Sequence, residues 1–89
     1  MKVLIADDDK NLRKVLAREL SDAGFDLTDT ESGNNAATLL GSEEFDVLIL
    51  DLNMPGLGGI EVIKSIRDLE MATEVIILTG HRAATTTAR

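Results

Sequence analysis

The sequence predicts an α/β domain built on a doubly wound parallel sheet, with helices on both faces. Three observations lead there. Short apolar runs without internal alternation occur at residues 3–6, 47–50 and 75–78, as in strands buried on both faces. Segments with apolar residues at helical spacing separate the runs, giving the order β-α-β-α-β-α-β with a further helix opening at the end. Each of these runs also ends in polar residues: Asp7 and Asp8, Asp51, and Thr79.

The elements follow in order. Val3, Leu4, Ile5 and Ala6 make the first strand, closed by Asp7, Asp8 and Asp9. Leu12, Val15, Leu16, Leu20 and Ala23 recur at helical spacing, with Asp9 as cap and Gly24 as a left-handed stop. "FDLTDT" alternates Phe25 and Leu27 with polar residues, which fits a shorter, partly exposed strand. "ESGNN" is a turn, and Ala36, Ala37, Leu39 and Leu40 mark a second, short helix. Residues 45–50 give the strongest strand signal, closed by Asp51. Pro55–Gly56 and Gly58–Gly59 are turn signals, after which Ile60, Ile63 and Ile66 repeat every three residues beside Val62 and Leu69, a third helix. "EVIILTG" is a fourth strand, and "HRAATTTAR" reads as the opening of a fourth helix.

At 89 residues there is room for one domain. A hydrophobic share of 44% against 28% charged excludes disorder and suits a globular domain. The net charge of −7 argues against direct nucleic-acid binding, which needs a basic face. With no cysteine there is neither a disulfide framework nor a thiolate metal site. No run approaches a secretory core or a membrane span, so the expected place is the cytoplasm.

Parallel strands direct their carboxyl ends to one edge of the sheet, where such folds place ligands. That topology would gather Asp7, Asp8, Asp51 and Thr79, which are distant in sequence. Converging carboxylates repel and need a cation, a shared proton or separation. Their hard oxygens suit Mg²⁺, which takes only one or two carboxylates and keeps several waters. An acid beside that ion could accept a phosphoryl group, with the metal neutralising charge on the transferring oxygens. Asp51 is therefore a candidate phosphoryl acceptor.

Three motifs, "VLIADDDKNLRKVL", "FDVLILDLNMPGLGGIEVI" and "VIILTG", together resemble the receiver domain of two-component response regulators. The resemblance covers most of the chain, in the family's order and spacing. It implies a flavodoxin-like (CheY-like) fold with strand order 2-1-3-4, and a switch phosphorylated on Asp51 by a sensor histidine kinase or phosphotransfer protein. Asp8 and Asp51 would bind Mg²⁺ directly, Asp7 through a water, and Asn53 through its backbone carbonyl. Thr79 would be the switch hydroxyl, and Met54, Pro55 and Gly59 the turn beneath the site. Such a domain catalyses only its own phosphorylation and dephosphorylation. Gly58 departs from the aspartate common in the family, at a position that is not a metal ligand.

Receivers continue into a fifth strand ending in a lysine, then a fifth helix, and residues 1–89 offer no match for either. Lys64 falls in the third helix, and the remaining lysines lie within the first twenty residues. The expectation is a receiver truncated after the fourth strand, whose fourth strand becomes an open edge prone to self-association. The rival is a receiver-like assembly module without productive phosphorylation. A phosphohydrolase fits worse, since it would put a second aspartate two residues after the nucleophile, where Asn53 stands. Blander roles suit other residues: Asp9 as helix cap, Phe25 and Phe45 as core, and His81, the single histidine, as a loop side chain.

Overall fold

The structure is a computed structural model that describes residues 1–52, 59–68, 72–79 and 82–87. The elements are β1 (Lys2–Ala6), α1 (Lys10–Asp22), β2 (Asp26–Thr30), α2 (Gly33–Ser42), β3 (Val47–Asp51), α3 (Gly59–Asp68), β4 (Glu74–Thr79) and β5 (Arg82–Thr87). They form one five-stranded sheet of order β2-β1-β3-β4-β5. The first four strands are parallel, in the order 2-1-3-4 expected from the sequence.

The strands lack alternation because both faces are covered. Leu4, Ala6, Leu48, Leu50 and Val75 pack with Ala36 and Leu40 of α2 and Val62 and Ile66 of α3. On the opposite face, Val3, Ile5 and Ile49 pack with Leu16 and Leu20 of α1, and with Phe25, Leu27, Val47, Ile76 and Leu78. This second face is the thinner layer. No residue of α1 is fully buried, and Val15 remains 57% exposed. Both predicted ends of the first helix hold. Asp9 caps α1, and Gly24 adopts φ +95° after its end, letting Phe25 N–H reach the Leu20 carbonyl at 3.0 Å.

At the other end of the sheet, a chain of bonds holds the strand starts in register. Asp46 N–H donates to the Lys2 carbonyl at 2.8 Å, and Glu74 N–H donates to the Asp46 carbonyl at 3.0 Å. The Thr73 hydroxyl, 4% exposed as a residue, donates to the Phe45 carbonyl at 2.8 Å. These contacts fix how far each strand runs toward the opposite edge, and so where its last residue sits.

Residues 82–87 depart from the sequence expectation. They are not the opening of a helix but strand β5, antiparallel to β4 from Glu74↔Thr87 to Thr79↔Arg82. Thr85, Thr86 and Thr87 are β-branched and favour a pleated strand over a helix, which outweighs the alanines at 83 and 84. Only two residues separate β4 from β5, so an antiparallel pairing is the one available, because a parallel crossover takes a dozen or more. The sheet thus holds four parallel strands and, at its edge, one antiparallel strand in place of the parallel fifth strand of the family. β4 is in consequence an interior strand of the sheet, and the edge expected to lie open is occupied by β5.

Candidate functional site

The site is made where β1 and β3 end. Both strands are apolar up to Ala6 and Leu50, and the next residue in each chain direction is an aspartate. Asp7 N–H continues the parallel ladder by donating to the Thr30 carbonyl at 3.1 Å. Its residue is only 2% exposed, whereas Asp8 is exposed and Asp51 half-buried. Carboxylate oxygens of Asp7, Asp8 and Asp51 all lie within 4.8 Å of one another. The convergence expected from topology is therefore present.

Main-chain bonds shape this corner. Asp7 Oδ1 accepts from Asp9 N–H at 2.8 Å. Asp9 Oδ1 accepts from the N–H groups of Asn11 and Leu12 at 3.0 and 3.1 Å, which starts α1 directly behind the acids. Asp9 thus serves as the cap, the blander of its two roles. Arg13, whose side chain is 13% exposed, donates through Nη1 to the Asp7 carbonyl at 2.8 Å and through Nε to Asp29 Oδ2 at 3.1 Å. Arg13 is not among the residues that the sequence motifs single out. A signal was there: α1 opens with Lys10 and Arg13 and has no acid in its first turn, against the preference set by the helix dipole.

Burial pushes the Asp7 carboxyl above the ordinary carboxylate range. The Asp9 N–H opposes that shift, and the charges of Asp51 and Asp8 add to it. Burial is the larger cause and the neighbouring acids the smaller, and the three acids form one cluster. Its donor set fits a hard divalent cation. Oxygens opposite one another on Mg²⁺ stand about 4.2 Å apart, close to the 4.8 Å limit within which these three oxygens fall.

The remaining expected residues are placed as follows. Thr79 is the last residue of β4, one position beyond Leu78, which pairs with Asp51. Its backbone therefore ends at the same sheet edge as the acids. Gly59 opens α3. Asn53, Met54, Pro55, Gly58 and His81 lie outside the described residues.

Comparisons with known proteins agree on one family. The model for the response regulator receiver domain matches residues 3–89. The DNA-binding transcriptional regulator NtrC of Salmonella typhimurium is 40% identical over 79 residues, covering 89% of this chain and 17% of NtrC. The chemotaxis protein CheY of Pseudomonas aeruginosa is 37% identical over 79 residues, covering 88% of this chain and 64% of CheY. The chain thus spans under a fifth of NtrC and just under two thirds of CheY. Among solved structures, the response regulator TrrA of Thermotoga maritima in complex with Mg²⁺-BeF superposes with a TM-score of 0.82 at 35% identity, covering 90% of this chain and 70% of TrrA. TrrA in complex with the histidine kinase ThkA superposes with a TM-score of 0.81 at 34% identity, covering 91% of this chain and 70% of TrrA. With three carboxylates gathered at the carboxyl edge of a 2-1-3-4 sheet and a family match over nearly its whole length, this chain belongs to the response regulator receiver domains, the phosphoacceptor signalling domains of two-component regulatory systems.

Proposed function

We propose that Asp51 is the phosphoacceptor of this domain, taking its phosphoryl group from the phosphohistidine of a cytoplasmic sensor histidine kinase or phosphotransfer protein in a Mg²⁺-dependent step. The observation that carries this is the gathering of Asp7, Asp8 and Asp51 with mutual oxygen distances within 4.8 Å. A carboxylate at a strand exit is approachable in line from outside the sheet, as phosphoryl transfer requires. An Asp51 carboxylate oxygen forms the new P–O bond as the P–N bond of the phosphohistidine breaks, and the imidazole, protonated on its other ring nitrogen, takes the bonding pair and leaves neutral. Asp8 and Asp51 would hold the ion directly, Asp7 through a water and Asn53 by its backbone carbonyl, and the ion would supply positive charge beside the transferring oxygens.

Thr79 completes the reading as the hydroxyl that meets the new phosphoryl group. Modification adds charge and three acceptor oxygens at the sheet edge. A hydroxyl drawn toward them shifts the end of β4, and with it the surface offered to a partner. The chain does no other chemistry than its own phosphorylation and dephosphorylation. TrrA with Mg²⁺-BeF and with a histidine kinase supports the ion and the partner class by similarity.

The test is incubation with acetyl phosphate and Mg²⁺, read by intact-mass spectrometry. One added HPO₃ group is expected, absent in Asp51→Asn and after chelation. An unmodified wild-type chain under these conditions would instead favour the assembly module.

A further inference from the structure

We infer that Arg13 is a positioning residue of the metal site, acting through the backbone on Asp8; this rests on the proposed Mg²⁺ reading and deepens it. Asp8 is exposed, so burial does little to orient it. Its geometry must come from the two peptide planes that flank it. The plane before Asp8 carries the Asp7 carbonyl, and Arg13 Nη1 holds that oxygen at 2.8 Å. The plane after Asp8 carries the Asp9 N–H, which Asp7 Oδ1 holds at 2.8 Å. Because each peptide unit is rigid, fixing one polar atom in each plane fixes the direction in which the Asp8 side chain leaves the chain.

Arg13 is itself restrained. Its Nε bonds Asp29 Oδ2 at 3.1 Å, near the end of β2, and its side chain is 13% exposed. The planar guanidinium spans both partners at once, which a lysine ammonium cannot copy with the same directions. The clamp therefore ties the β1–α1 corner to the end of β2 and presents Asp8 beside Asp7 and Asp51, whose oxygens fall within 4.8 Å of its own.

The sign of a metal-affinity change separates positioning from simple charge. Removing a cation near three carboxylates should by Coulomb attraction tighten Mg²⁺ binding. Removing a positioning group should weaken it, by about tenfold if Arg13 behaves as outer-shell partners of metal ligands do. The experiment is a MgCl₂ titration followed through the backbone amide signals of Asp8 and Asp51 by ¹⁵N NMR. It compares wild type, Arg13→Met, Arg13→Lys and Lys2→Met, with urea stability measured alongside. Lys2 pairs with Glu43 at 2.8 Å at the opposite end of β1, so its removal takes away an equal charge and a comparable tether away from the site.

Weaker binding in Arg13→Met and Arg13→Lys, with Lys2→Met unchanged or slightly tighter, is the expected result. Tighter or unchanged binding in Arg13→Met overturns the inference while leaving Mg²⁺ binding itself intact. Should Arg13→Met fail to fold, Arg13→Lys decides alone, because charge by itself predicts no change there. A wild type that binds no Mg²⁺ overturns the inference together with the reading beneath it.

Discussion

Replacing Asp7 by asparagine should stabilise the metal-free protein while abolishing most of what Mg²⁺ adds. The substitution keeps size and an acceptor oxygen for the Asp9 N–H, now 2.8 Å from Asp7 Oδ1, and removes a charge from a residue 2% exposed. Two unit charges at the 4.8 Å limit within which these oxygens fall repel by about 3 kcal/mol at an effective dielectric constant of 20, and by about 1 kcal/mol in bulk water. Asp51 is half-buried and Asp8 exposed, so repulsion relieved at Asp7 lies between those limits. A neutral acceptor binds the Asp9 N–H less strongly, which returns about 1 kcal/mol. The net gain is up to about 2 kcal/mol in chelator, or several degrees of Tm for a domain of this size. In saturating Mg²⁺ the order narrows or reverses, because only wild type gains fully from ion binding.

The same variant carries a pH signature. The folded state holds the Asp7 proton more tightly than the unfolded chain, where the group titrates near 3.8. Stability from this group is therefore present in full below that value and is lost as pH rises through the higher folded pKa. The advantage of Asp7→Asn in chelator should grow from nothing in acid to its full size at neutral pH. Urea unfolding followed by far-ultraviolet circular dichroism, at several pH values with and without Mg²⁺, reads both effects. An Asp7→Asn chain less stable than wild type in chelator at neutral pH would refute the cluster as a site of stored repulsion.

Two further outcomes test the frame that holds the site. Thr73→Val leaves the Phe45 carbonyl without the hydroxyl that meets it at 2.8 Å; a loss of about 1–3 kcal/mol in urea unfolding is expected, and a neutral result would mean that water replaces it. Asp9→Ala removes the two cap bonds at 3.0 and 3.1 Å and should cost about 1 kcal/mol in the same assay; a change of only a tenth or two would show that α1 starts without its cap.

What could be read in advance follows from where a residue's reason lies. β1 and β3 were legible because burial on both faces leaves an unbroken apolar run, and the acids closing them were legible because a charge cannot continue that run. The order 2-1-3-4 came with the family motifs, since spacing alone says that strands are parallel but not which are neighbours. β5 was misread because Ala83, Ala84 and Thr85–Thr87 speak for different structures, and the deciding influence is a neighbouring strand with an unpaired edge. Arg13 was missed for a related reason. Its partners are a main-chain carbonyl and an aspartate sixteen residues away, neither of which leaves a pattern in the sequence. The acids announce a charge that must be answered, whereas the group that aims one of them is visible only once α1 and β2 stand side by side. A site of this kind is thus read from sequence at the level of its ligands and from the fold at the level of their aim, and substitutions that spare every acid can still disable it.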